Sequence, residues 1–244
     1  MRPLSAAQLL DAWERGLSEP LCRRALPLLA AASLDSSTND VAALTIGERD
    51  RSLLTLREWT FGRQLASVSN CPACGERLEW TVDTENLRVS KEGESPAEVL
   101  FEDNDYRVSF RVPNTLDVEA ATSADNATNA RRLLLERCVT AARIDGAKLA
   151  AADLPDELAE TIAKQMTLAD PQADIQVDLT CPSCPHRWQA IFDIESFFWN
   201  EINAWAQRIL SEVHILASAY GWRESDILNL TPWRRQFYLG LVNG

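Results

Sequence analysis

Cys71-Pro72-Ala73-Cys74-Gly75 and, 110 positions later, Cys181-Pro182-Ser183-Cys184-Pro185 decide how this chain is read. Each CPxC unit precedes a strand-like segment. At that offset Cys71 to Leu87 overlays Cys181 to Phe197, with Arg77 over Arg187, Asp83 over Asp193 and Glu85 over Glu195. Two residues between cysteines let a tight turn aim both sulfurs at one ion about 2.3 Å away, and two such knuckles complete the tetrahedral four-cysteine set that zinc prefers. The expectation is a zinc-ribbon-like core closed by approximate symmetry, with one structural Zn2+ on Cys71, Cys74, Cys181 and Cys184. Four thiolates fill the coordination shell and leave no place for a catalytic water. The 106 intervening residues exceed ordinary ribbon spacing, but loop-closure entropy grows only logarithmically with length.

Rival chemistries fit less well. In thioredoxin-like enzymes CxxC opens a helix within a βαβ pattern, whereas here alternating strand residues such as Leu78-Glu79-Trp80-Thr81-Val82 follow it. A zinc deaminase needs an HxE beside PCxxC, and the two histidines stand in His186-Arg187-Trp188 and His214-Ile215-Leu216. His186 is a polar neighbour of the second knuckle and an alternative fourth ligand. Cys22 and Cys138 sit alone on helical patterns and read as small core residues. Arg63, Arg77 and Arg187 are candidates to offset the charge of about −2 that four thiolates leave around Zn2+.

Length 244, 46% hydrophobic and 25% charged describe an ordinary globular chain. With 36 acids against 24 bases, the net charge of −12 offers no footprint for nucleic acid or an anionic membrane. No apolar run approaches the ~20 residues of a membrane helix, and the expected location is cytoplasmic, where thiols stay reduced. Residues 83–120 and 145–178 each carry −6 and together account for the whole net charge. Such acidity marks a solvated, mobile or partner-facing insertion. No GxSxG, HExxH or P-loop occurs, and nine glycines leave little for a phosphate cradle. No small-molecule substrate or catalytic residue is expected.

The pattern predicts an α+β protein. Capping boxes at Ser5/Gln8 and Thr45/Glu48 start helices over about 6–15 and from Ile46 to Gly62, with a helix over 19–32 that Pro27 kinks or splits and a polar loop over 33–40. Strands are expected over 64–69 and 78–82, a hairpin over 97–102 and 106–112, and helices over 129–142 and 156–166. The carboxyl end predicts a long helix from Ile194 to Tyr220, a short one over 224–228, and a last one with Thr231-Pro232 at its start. The domain expectation is a helical region 1–62, a split ribbon core 63–90 with 171–196, an acidic α/β insertion 91–170 and a helical region 197–244. Trp222, Trp233, Arg234, Arg235 and Tyr238 combine aromatic rings with arginine, the composition of interface anchors, and are the candidate partner-binding set.

Gly47-Glu48-Arg49-Asp50, Leu53-Leu54-Thr55-Leu56-Arg57, Phe61-Gly62 and the first knuckle resemble the T4-type baseplate proteins of phages and phage-tail-like contractile injection systems, the baseplate hub assembly chaperones. Asp170-Pro171, Cys181 to Trp188, Phe192-Asp193-Ile194 and Glu212 to Ala217 leading to Tyr220-Gly221-Trp222 resemble the same pattern. The chain departs from it at Pro185, where glycine is expected beside His186, and at Arg223, where a serine-like cap is expected. The resemblance implies a non-enzymatic assembly or structural protein that binds baseplate or tail subunits, in the cytoplasm or within a tail-like particle. The alternatives are a zinc-bearing thiol oxidoreductase and, against the charge, a zinc-ribbon adaptor for transcription or RNA.

Overall fold

The computed structural model describes residues 1–34, 36–89 and 96–243. Two compact units emerge, Met1–Thr38 with Glu195–Gly244, and Asn39–Ile194.

The first unit is helical. Helix α1 (Ala6–Leu17) starts at the Ser5/Gln8 capping box and buries Leu9, Leu10, Ala12 and Trp13. Pro27 splits the next segment: a single 3-10 turn, Leu21–Arg23, precedes α2 (Leu26–Ala32), whose first turn accommodates the proline. Further on, α8 (Ile194–Tyr220) buries Phe198, Ile202, Ala206, Ile209, Val213 and Leu216 at intervals of three to four residues. The indole of Trp13 donates to Asn203 Oδ1 at 3.0 Å, tying α1 to α8. After α9 (Glu224–Leu228), α10 (Pro232–Asn243) is pinned to α8 by Arg235, whose Nε lies 3.1 Å from Glu212 Oε2.

In the second unit α3 (Thr38–Ala42) occupies part of the run expected as loop; Asp35 of that run lies outside the described residues. Helix α4 (Ile46–Phe61) begins at the Thr45/Glu48 box and fully buries Leu53, Leu54 and Leu56. Strands β1 (Gln64–Asn70) and β2 (Arg77–Asp83) form one antiparallel hairpin. Strands β3 (Val99–Asp103), β4 (Tyr106–Phe110), β5 (Val139–Ile144) and β6 (Ala147–Leu149) form a four-stranded sheet in that order. A last hairpin pairs β7 (Gln176–Thr180) with β8 (Arg187–Ile191). The three sheets are antiparallel and alternate with helices, so the class is α+β.

Three elements differ from expectation. Helix α6 (Ala127–Cys138) stops where β-branched Val139 and Thr140 begin β5, which turns back through Asp145-Gly146 into β6. Both turn residues have positive φ, 50° and 79°, the requirement of a two-residue hairpin loop. Helix α5 (Thr115–Ala121) lies where the sequence reading placed no element; an Asn114/Asp117 capping box starts it. The acidic middle is a packed layer as well: Val108, Phe110 and Ala142 of the sheet meet Leu135 and Cys138 of α6 and Leu158, Ile162 and Met166 of α7 (Asp156–Ala169). Its expected start at residue 91 lies outside the described residues.

The short turn after α7 brings the two hairpins together. Asp170 Oδ2 accepts the Gly47 N–H at the start of α4 at 2.8 Å. The amide of Gln172, 1% exposed, donates to Leu87 O at 3.0 Å and accepts from Val89 N–H at 2.8 Å. The chain that enters β7 is thus bonded both to the helix preceding β1 and to the segment following β2.

Candidate metal centre and aromatic face

Each CPxC unit is the turn of its hairpin. Register pairs Asn70 with Arg77 in the first and Thr180 with Arg187 in the second, equivalent positions at the 110-residue offset. The Cys71 N–H donates to Glu76 O at 2.8 Å and the Cys181 N–H to His186 O at 2.9 Å, closing the two knuckles in the same way. Trp80 of β2 meets Phe192, just past β8, edge to face at 6.2 Å.

This packing brings the four cysteines together, all sulfurs within 4.8 Å of one another. Two pairs cross between knuckles, Cys71 to Cys184 and Cys74 to Cys181, both at 3.6 Å. A disulfide needs about 2.05 Å. A tetrahedron of sulfurs about 2.3 Å from a central ion has edges of about 3.8 Å, so this donor set fits a closed thiolate site. Cys71 and Cys181 are buried, 2% and 1% exposed, and Cys74 and Cys184 face outward. Backbone N–H groups of Cys184 and then Ser183 bring the Cys181 thiol down to about 7. The Glu76 N–H favours a thiolate at Cys74, but the thiols of Cys184, Cys181 and Cys71 together with loss of water outweigh it and push that group up to about 12. Sulfurs this close compete to keep their protons; a divalent cation removes the competition by accepting all four as thiolates.

The ring of His186 is exposed and stacks on Trp188 at 6.0 Å, while its carbonyl serves the knuckle. Arg63 lies at the far end of its hairpin from the sulfurs, on Asp83 at 3.0 Å and on Glu85, while Arg77, at the knuckle end, pairs with Glu79 at 3.9 Å. Cys138 is in the core, Cys22 is half-buried, and neither belongs to the cluster.

The residue that follows the second cysteine differs between the two knuckles. Gly75 takes φ +76° and donates its N–H to Cys71 O at 2.8 Å. Its counterpart Pro185 has no N–H to give. Pro185→Gly should gain a hydrogen bond of about 1 kcal/mol, against about 1 kcal/mol of added unfolded-chain entropy. The net expectation is a stability within about 1 kcal/mol of the parent in urea unfolding; a larger change in either direction would contradict this reading of the turn.

Sequence reasoning did not foresee a buried polar corner at the start of α4. A Cβ at Gly47 would stand 1.8 Å from Asp170 Oδ1, so glycine is the residue that lets this carboxylate reach the helix terminus. Asp50 is pushed up to about 6 by burial, against the pull of Arg49 at 2.8 Å, with the charges of Asp193 and Asp170 adding to the rise. Gly47, Arg49, Asp50, Asp170 and Asp193 all belong to the stretches that carry the family resemblance. The Asp-Pro step ahead of a strand was the available signal for their meeting.

At the carboxyl end, Trp222 stacks on Tyr220 at 4.7 Å and meets Tyr238 edge-on at 4.9 Å. Tyr238 touches Phe237, which stacks with Trp233 at 5.7 Å. Trp233, Phe237 and Leu241, spaced by four residues, are 74%, 53% and 60% exposed and form one stripe along α10. Arg234 is exposed beside it, whereas Arg235, expected on the same surface, is 5% exposed in the Glu212 pair. The sequence places Phe237 and Leu241 on this helix without marking them as partner-facing; their interval of four from Trp233 supplies that signal.

The T4 bacteriophage base plate protein family is matched over residues 27–199, more than two thirds of the chain, including both knuckles and everything between them. No curated protein and no solved structure gives a match. On that extent, the chain belongs to the T4 bacteriophage base plate protein family.

Proposed function

We propose that this is a non-enzymatic structural or assembly protein of a contractile-tail baseplate, whose four clustered cysteines hold one structural zinc ion and whose carboxyl-terminal aromatic face binds another tail subunit. The observation that carries the reading is the meeting of two hairpin turns, 110 residues apart in a baseplate-family chain, on a single set of sulfurs. Zinc would supply no reaction there, because Cys71, Cys74, Cys181 and Cys184 fill its shell. It would cross-link the two hairpins. A thiol oxidoreductase fits the arrangement poorly: its reactive pair opens a helix, while here each CPxC sits in a hairpin turn and sulfurs of different turns approach to 3.6 Å.

Elemental analysis of purified protein tests the metal, with about one zinc per chain expected. Thiol titration separates the two readings. A zinc-bound set stays protected until a chelator is added, and a redox pair cycles with reductant alone. The partner face is tested with Trp233→Ala/Phe237→Ala. Both rings are largely exposed, so the melting temperature should change little, while co-assembly with purified baseplate subunits should weaken at least ten-fold, a loss of about 1.4 kcal/mol or more. Unchanged assembly would remove this face from the proposal.

A further inference from the structure

The outer face of the four-stranded sheet carries a charge pattern that folding does not require. Register sets Glu102 opposite Arg107, Arg107 opposite Arg143 and Arg143 opposite Lys148, so four charged side chains cross β3, β4, β5 and β6 in one row. Directly paired residues share a face. Alternation puts this row on the side away from buried Val108 and Ala142, and all four residues are exposed. Glu102 pairs with Arg107 at 2.5 Å. Among the described residues, Arg143 and Lys148 have no ion-pair partner. Like charges directly opposite one another destabilise a sheet, yet a chain with 36 acids sets three cations side by side here.

We propose that this row is a docking site for a carboxylate-bearing segment of a partner protein. Two neighbouring cations without counter-charge fit two carboxylates of one short segment, and the relief of their mutual repulsion adds to the attraction. Beside the row lies a second register line, Leu100 to Ser109 to Ala141, where Leu100 is 58% exposed and its neighbours are small. An apolar side chain of the same segment can rest there. At the turn end, a hollow of about 330 Å³ lined by Glu102, Asp105, Tyr106, Arg107, Arg143 and Gly146 gives room for one further, uncharged side chain. A nucleic acid suits the surface less. Its phosphates continue in both directions and would run onto Asp103, Asp105 and Asp145 at the turns, against a net charge of −12.

The test uses the full chain at low salt with two probes of equal formal charge, an eight-residue glutamate-leucine peptide and an oligothymidine. Amide shifts of 15N-labelled protein locate binding. The expected result is peptide binding centred on residues 99–110 and 139–149, weakened at least ten-fold in Arg143→Gln/Lys148→Gln. That variant should fold with an unchanged or higher melting temperature, since it removes a repulsion. Arg131→Gln/Lys164→Gln, which deletes the same charge from α6 and α7, should bind the peptide as the parent does. The proposal is overturned by absence of peptide binding, by equal weakening in the control variant, or by tighter binding of the oligonucleotide on the same residues.

Discussion

Replacing Cys71 or Cys181 with serine is expected to abolish metal binding and, with it, the cooperative unfolding transition of the Asn39–Ile194 unit. Structural zinc on four thiolates contributes on the order of 10–16 kcal/mol at neutral pH, as much as the ~5–15 kcal/mol by which a whole domain is stable. The loss should be steep because the site joins the turns of two short hairpins, which elsewhere meet through the edge-to-face contact of Trp80 with Phe192 and the hydrogen bonds of Asp170 and Gln172. Position within the cluster grades the effect. Cys71 and Cys181 are buried and anchored by their own N–H groups to Glu76 and His186, so serine there leaves a shortened, uncoordinated group in a closed site. Cys74 and Cys184 are exposed, and a serine there can turn to water. Cys74→Ser should therefore retain residual, weaker zinc binding. The measurement is zinc content beside circular dichroism melting, with and without a chelator. A chelated parent that melts as the loaded one does would show that the metal does not hold the fold.

The cysteine cluster was legible because its signal is local and repeated. Spacing and the following strand residues are properties of about fifteen consecutive positions, and the 110-residue offset gave the same reading twice. Helix starts were legible for the same reason, since Ser5/Gln8 and Thr45/Glu48 are capping boxes in sequence and in structure. The misread span, 139–142, shows where local information runs out. Ala141-Ala142-Arg143 suits a helix by propensity, but strand β4 offers these residues a ladder of hydrogen bonds, and Ala142 is buried against α6 and α7 once that ladder forms. Tertiary pairing decided, and the Asp145-Gly146 turn was the clue.

Charge was legible in amount, and the packing beneath it was not. The acidity of 145–178 suggested a solvated insertion, yet Leu158, Ile162 and Met166 lie on the inner face of α7 and its acids on the outside. Among the aromatic residues, exposure separated what composition joined. Trp233 and Arg235 are two residues apart on α10, and that spacing turns one to solvent and the other to Glu212. The buried corner of Gly47, Asp50 and Asp170 was the least legible feature, because it depends on a contact spanning more than one hundred residues.

Asp117 ties that middle layer together, and Asp117→Asn should destabilise the protein by about 3 kcal/mol. The carboxylate is 0% exposed and accepts from Arg111 at 2.6 and 2.9 Å, from Arg137 at 2.9 Å and from Asn114 N–H at 3.1 Å. It thereby joins the end of β4, the start of α5 and the end of α6. An asparagine keeps the shape but leaves two guanidinium groups facing a neutral amide whose NH2 cannot accept. Both arginines retain some water, with side chains 33% and 40% exposed, which holds the loss below that of a fully buried pair. Acid should have the same effect on the parent. Burial alone would push the Asp117 carboxyl up, but the bonds from Arg111, Asn114 and Arg137 outweigh it and hold the group below the ordinary aspartate range. The unfolded chain therefore binds this proton more readily. The contribution is complete above the unfolded value near 3.9 and is lost as pH falls through the folded one. Asp50 acts in the opposite direction. With its folded value raised to about 6, its contribution is present below pH ~4 and is lost as pH rises from ~4 to ~6. Urea unfolding from pH 2.5 to 7 should thus show two slopes of opposite sign, with Asp117→Asn flattening the acid limb and Asp50→Asn the limb above it. An acid limb unchanged in Asp117→Asn would assign that titration to other carboxylates and refute the network as the source of acid sensitivity.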